Sequence, residues 1–298
     1  MVKPLKSKFF LIALAMLGAG AARAATDWAP VGAALGKTGS VQGGDVYRVA
    51  FPRSDLKVTL DGVAIKPGLA LGSWVAFRQM GGNAMVMGDL VLTHDEVNPV
   101  MRSLEANGIE ISALHNHLLR SSPATMYMHI DGHGDAVKLA SAIHTALQLS
   151  KTPFTAPAAA ALAPLDLDTA AIDAAMRAKG VANGGVYQFG IARREAPKSD
   201  GMSLPPPVGS AIGINFQPTG GGKAAITGDF VLTADEVNPV IRALEASGIE
   251  ITALHNHMLD DEPRLFFMHF WANDDAIKLA RGLRNALDKV ATAPPSAG

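Results

Sequence analysis

The chain has 298 residues, 48% of them hydrophobic, which allows one or two domains with a substantial core. Cysteine is absent, so there is no disulfide framework, thiolate metal site or cysteine nucleophile, and any transition metal must be held by His, carboxylate or Met. The formal charge of −1, with no basic stripe or block, argues against a nucleic-acid partner.

In chain order, the N-terminus reads as an export signal. Lys3, Lys6 and Lys8 precede the apolar run Phe9 to Leu17, and Ala22-Arg23-Ala24 is a small-x-small cleavage site. The apolar run is too short to span a bilayer. Residues 1–24 are expected to be removed, taking four basic residues and no acidic ones, so the mature charge is −5. No cysteine follows the cleavage site to carry a lipid. The expected location is periplasmic or secreted, with no stable membrane insertion after cleavage.

Tyr47 to Phe51, Leu56 to Leu60 and Ser73 to Phe77 read as strands, and so does Met85 to Leu92. Thr93-x-x-Glu96 is a capping-box pattern opening a helix to about Ala106, stopped by Gly108. Ile109 to Leu118 alternates as a strand, Arg120 to Ala124 turns, and Thr125 to Ile130 returns. Asp135 to Leu149 has helical spacing in Ala136, Leu139, Ala140, Ile143 and Leu147. The predicted fold class is α+β, a β-α-β-β-α unit of ferredoxin-like kind with additional antiparallel strands.

The unit occurs twice. Gly88-Asp89-Leu90-Val91-Leu92-Thr93 returns as Gly228-Asp229-Phe230-Val231-Leu232-Thr233, and Asp95 to Val100 returns as Asp235 to Val240. Between Gly88 and Leu147 about 35 of 60 positions match their partners without a gap. Such a tandem duplication sets the domain plan. It predicts a first repeat over 25–149, an Ala/Pro linker over 150–167, a second repeat over 168–289 and a tail over 290–298.

Six of the nine histidines sit in the repeated stretches. These are His115, His117 and His129, and 140 residues later His255, His257 and His269. Alternation puts His115 and His117 on one strand face. His129 on the next strand lands on that face, opposite His115 or His117, if the turn is centred on Ser122 or Pro123. Three imidazoles so placed reach one ion at about 2.0–2.1 Å and leave a fourth position open. The expected arrangement is thus a three-histidine site in one or both repeats. Unless a bulge intervenes, the imidazoles continue the apolar face of Ile109, Ile111 and Ala113, where an unsatisfied polar group is costly; a shared metal would satisfy all three, and hydrogen bonding is the alternative. Imidazole ligates when neutral, so affinity is expected to fall below about pH 6.5. Zinc is the first metal expected and copper the second.

Other residues carry less. His94 and His133 become Ala234 and Asn273, although His133 offers a fourth ligand in the first half alone. Glu96 and Glu236 have the chemistry of a general base, yet the capping box already explains them. Asn116 and Asn256 point away from the triad face and read as structural. Met85, Met87, Met126 and Met128 read as core filling, since Met128 alone has a counterpart, Met268.

The runs Gly228 to Val240, Gly248 to Leu259 and Phe267 to Ala276 resemble the LppY/LpqO family of exported bacterial proteins, a domain of unknown function. The resemblance covers both halves. It implies export and the two-copy layout but no activity, and this chain departs from the lipoprotein members in having no cysteine. Two main function classes follow. One is a metal-binding protein whose partner is the ion or a small ligand. The other is a metal-dependent hydrolase or lyase using the open position, for which the sequence offers no obviously placed carboxylate. A non-metal ligand-binding or structural envelope role is the third.

Overall fold

Thr93 and Thr233 each open a helix with a complete capping box, the Thr side chain meeting the Glu backbone and the Glu96 or Glu236 carboxylate returning to the Thr backbone N–H. The same two helices anchor two similar halves. The computed structural model describes residues 26–155 and 164–294; the expected leader 1–24, much of the linker and the end of the tail lie outside the described residues.

The first half runs α1 (Ala29–Leu35), β1 (Ser40–Gln42), β2 (Val46–Pro52), β3 (Thr59–Leu60), β4 (Val63–Ala64), α2 (Pro67–Ala70), β5 (Gly72–Met80), β6 (Asn83–Thr93), α3 (His94–Ala106), β7 (Glu110–His115), β8 (Thr125–Gly134) and α4 (Ala136–Leu147). The second runs α5 (Thr169–Met176), β9 (Val181–Asn183), β10 (Val186–Ile191), β11 (Lys198–Ser199), β12 (Met202–Ser203), β13 (Ile212–Gly220), β14 (Lys223–Leu232), α6 (Ala234–Glu245), β15 (Glu250–His255), β16 (Asp261–Glu262), β17 (Phe266–Asp275) and α7 (Ala276–Leu287). The fold is α+β. Each half has a six-stranded antiparallel sheet, ordered β1-β2-β5-β6-β8-β7 and β15-β17-β14-β13-β10-β9. The segment β6-α3-β7-β8-α4 is the β-α-β-β-α unit that the repeat predicts.

Two expected strands differ. Leu56 to Leu60 keeps only Thr59–Leu60, paired with β4 outside the main sheet. Turn bonds from Ser54 N to Pro52 O and from Leu56 N to Arg53 O occupy the backbone just before it. The strand Ile109 to Leu118 ends at His115, so His117 stands in the loop that follows.

Strand alternation sorts each sheet into two faces. In the first half Val49, Phe51, Val75, Phe77 and Val86 pack with Val97, Val100, Leu139 and Ile143 of the helices in one core. The intervening positions, Arg48, Trp74, Ala76 and Asp89 among them, face the other way, toward the second half. The halves cover each other there. Lys66 and Ala64, beside α2, bond Gln217 of β13, while Gln188 of β10 donates to Gly68 O. In return, Pro207 O accepts from Arg48 and Ser203 O accepts from Arg78. This reciprocal cover buries the helix-free faces and sets the histidines of the two copies against one another.

Candidate metal centre

The centre begins with a bulge. β7 pairs with β8 at Ile111↔Ile130 and then at Ala113↔His129, leaving Ser112 as an extra residue; β15 repeats this at Thr252, with Ile251↔Phe270 and Ala253↔His269. One extra residue reverses the faces beyond it. Ile109 and Ile111 therefore serve the helix core, whereas His115 points to the inter-half face. The expectation that the imidazoles continue the Ile109 and Ile111 face is corrected accordingly. So is the pairing: His129 lies opposite Ala113, and His115 opposite Tyr127.

The bulge residues also stitch the halves. Ser112 Oγ donates to His257 O and Thr252 Oγ1 to His117 O. Asn116 Nδ2 donates to Thr252 O at 3.0 Å and Asn256 Nδ2 to Ser112 O at 2.9 Å. The asparagines are structural, as expected, and their bonds run between the copies. Shifting every number by 140 exchanges the two sets of bonds, so the joint has a pseudo-two-fold relation.

Around it the six imidazoles interleave in three stacked pairs, each mixing the halves. His115 stacks on His255 with ring centroids 3.4 Å apart, His117 on His269 at 3.6 Å and His129 on His257 at 3.7 Å. Tyr127 and Phe267 close the ends, at 3.4 Å from His117 and 3.3 Å from His257. The three-histidine site expected in one or both repeats takes the form of one cluster in which the two triads interleave. Ligand atoms lie within 4.8 Å of one another in the groups His115, His129, His255, His257 and His115, His117, His255, His269. A third group is Asp229, His255, His257, His269, which collects the whole second-half triad. His117 and His129 of the first half fall into different groups among the described residues.

Two residues of the centre escaped the sequence reading. Asp89 sits opposite His129 and Asp229 opposite His269 on adjacent strands. Asp229 Oδ2 is 3.3 Å from His257 Nε2 and its Oδ1 3.9 Å from His269 Nε2; Asp89 Oδ2 is 3.9 Å from His117 Nε2. An acid in an otherwise apolar, twice-occurring strand was the available signal. Gly88 and Gly228 precede these acids because a Cβ would meet the neighbouring strand, at 2.8 Å from Trp74 O and 2.0 Å from Gly213 O.

The rings are oriented for ligation. Nδ1 of His115 and His255 bonds the carbonyls of Asn116 and Asn256, and Nδ1 of His269 bonds Gly228 O at 2.7 Å. A carbonyl only accepts, so Nδ1 carries the proton and Nε2 presents its lone pair, the arrangement that backbone carbonyls impose on metal-ligating histidines. All six Nε2 atoms are buried without a hydrogen-bond partner, as are Oδ1 of Asp89 and of Asp229. Burial drives the imidazoles toward neutrality, His115 down to about 4, His255 to about 3 and the other four well below their ordinary value. Proton competition near pH 6.5, expected from ordinary histidines, therefore moves to lower pH. Burial acts oppositely on the acids, raising Asp89 to about 8 and Asp229 well above the carboxylate range.

The remaining candidates lie elsewhere. His133 groups with Asp131 and Asp200, away from the cluster, and His94 is exposed at the start of α3. Glu96 and Glu236 are structural: each pairs with a buried arginine, Arg53 at 2.8 Å and Arg193 at 2.6 Å. Met128 is fully buried in the helix-side core.

The family model described as Domain of Unknown Function (DUF1259) matches residues 29–149 and again 170–289. The chain belongs to this family. Both DUF1259 copies contribute to the centre, and the match gives the two-copy layout directly. No curated protein matches the chain. Two solved structures align along much of it. One is a trimeric bacterial microcompartment shell protein, PduB, at 13% identity over 87% of this chain and 99% of that one, TM-score 0.22. The other is EtuB from Clostridium kluyveri, at 7% identity over 84% of this chain and 90% of that one, TM-score 0.19. At these scores neither likeness carries an argument about the DUF1259 pair. No helix among the described residues is long and apolar enough to cross a membrane.

Proposed function

We propose that this is an exported metal-binding protein of LppY/LpqO kind, periplasmic or secreted, with one divalent-metal centre shared by its two repeats. The ligands are His115, His117, His129, His255, His257 and His269. The observation that carries the reading is the set of six partnerless, buried Nε2 atoms aimed into one cluster. An orphaned buried polar atom costs about 1–3 kcal/mol, so six together demand a common partner. Protons do not serve, because burial keeps the rings neutral.

Donor count favours two ions. A single four-coordinate ion would leave two imidazoles and both carboxylates unsatisfied. The two four-histidine groups exchange under the 140-residue shift and share His115 and His255. Dividing that pair gives each ion three histidines drawn from both halves. Zinc is the first choice, since imidazole suits it and no redox partner is needed, and copper the second. Elemental analysis of untagged protein is expected to find about two zinc per chain. Protein that stays metal-free after incubation with zinc and copper overturns the reading. Export predicts a mature chain beginning at Ala25, and N-terminal sequencing that finds Met1 intact on secreted protein would refute it.

A second reading, a metal-dependent hydrolase or lyase, is favoured by Asp89 and Asp229. These are the carboxylates that water activation beside an open metal position requires, and both reach a cleft of about 1100 Å³. Loss of any hydrolytic turnover in Asp89→Asn with metal content retained would support it; unchanged turnover would remove it.

A further inference from the structure

The cleft in front of the centre is not symmetric, although the centre is. His117, His257, His269, Asp89 and Asp229 line one part of it. Among all its lining residues Arg48 is the only lysine or arginine, and Asp89 and Asp229 are the only acids. The guanidinium of Arg48 lies over the Trp74 ring, with Cζ 3.8 Å from the centroid, and Nη1 donates to Pro207 O of the other half. Stacking and that one bond fix the plane of the group and leave further N–H donors free.

Among the described residues no carboxylate pairs with Arg48 in a salt bridge. Burial lowers the guanidinium to about 10, against a smaller pull upward from Asp89. Strand β5 lies between β2, which carries Arg48, and β6, which carries Asp89. Trp74, directly opposite Asp89 on β5, stands between them.

The second half lacks this device. Gln188 follows Arg48 by 140 residues, and opposite Asp229 stands Gly213 where Asp89 faces Trp74. The eight donors of the centre occur in both halves, whereas Arg48 and Trp74 occur in the first half alone. A metal site alone gives no reason for a half-buried cation on that wall with no carboxylate partner among the described residues.

We propose that the cleft binds a small organic anion, its carboxylate or phosphate group held by Arg48 and its other end reaching the metal centre. A planar guanidinium preset by stacking donates two parallel N–H bonds to either group. Arg48 and the donors of the centre line the same cleft with Trp74 among its walls, so a molecule that meets both carries a body and a second group beyond its anionic end. Trp74 and the Pro206-Pro207 wall supply apolar contact for its body. This inference rests on the metal reading for the second anchor, but Arg48 can be tested without it.

The experiment titrates the full mature chain, after its metal content is measured, with succinate, with glycerol 3-phosphate and with inorganic phosphate by calorimetry. Tryptophan fluorescence is followed in parallel in the wild type and in Trp74→Phe, the difference reporting Trp74. Wild type is expected to bind at least one of the two organic anions. Arg48→Gln, which copies Gln188, is expected to lose at least tenfold in affinity while keeping its metal, and Arg48→Lys to fall between. Preference for succinate or for glycerol 3-phosphate assigns the group. Equal affinity in wild type and Arg48→Gln, binding of inorganic phosphate alone, or no binding by the metal-loaded wild type overturns the proposal. If the wild type takes up no metal but binds an organic anion through Arg48, the metal reading fails and the anion site stands.

Discussion

The imidazoles of His115 and His255 stack with ring centroids 3.4 Å apart, although each begins as the same residue of a different repeat. The pair sits on the pseudo-two-fold relation and belongs to both four-histidine groups. Neither repeat alone holds the full donor set, so the proposed metal centre depends on the docking of the halves.

Substitution of the ligands follows from that sharing. His257→Ala removes the ring that stacks on His129 and approaches Asp229 at 3.3 Å. Metal content is expected to drop from about two to one ion or fewer per chain. His144→Ala and His133→Ala, outside the cluster, leave the content unchanged. Elemental analysis of the three variants checks this.

Acid is expected to destabilise the metal-free chain between about pH 6.5 and 4. An unfolded imidazole takes its proton near 6.5, whereas folded His115 waits until about 4 and His255 until about 3. In that window the unfolded chain holds more protons, so stability falls as pH falls. Asp89, raised to about 8, and Asp229 work in the opposite sense, losing stability as pH rises from about 4. Two carboxyls do not outweigh six imidazoles. Thermal unfolding of chelator-treated protein at pH 7 and pH 4.5 should give the higher melting temperature at pH 7, and added zinc should raise it further.

Glu96 holds the fold rather than the chemistry. It accepts from Arg53, Thr93 N and Lys151 N, and these bonds keep its carboxyl below the ordinary range despite burial. Arg53→Met leaves that carboxylate without its cation and is expected to cost about 3–5 kcal/mol. Chemical denaturation measures the loss, and the metal content of the folded fraction should not change.

The stitch between the halves has its own cost. Asn116→Ala removes the bond to Thr252 O and should destabilise by about 1 kcal/mol. Asn116→Ala combined with Asn256→Ala should lose more and weaken metal retention, because the two bonds hold the loops that carry His117 and His257. Denaturant midpoints and dialysis against a chelator read the two effects separately.

The duplication, the order β-α-β-β-α within each copy, the capping boxes and the six histidines were legible in the residues alone. These follow from local spacing: a period of two or of 3.6, a Thr-x-x-Glu cap, and a gapless match at 140 residues. Residue type alone also marked the triads, since imidazoles retained in register invite a shared ligand. Three further facts depended on the tertiary structure. The extra residue at Ser112 and Thr252 turns His115 and His255 off the helix-side face, and a bulge leaves no signature in an alternating run. The docking of the two helix-free faces interleaves the triads into one cluster, which needs contacts between residues 140 apart. Asp89 and Asp229 join that cluster only because β6 and β14 set them opposite His129 and His269, a register that pairing across the sheet decides.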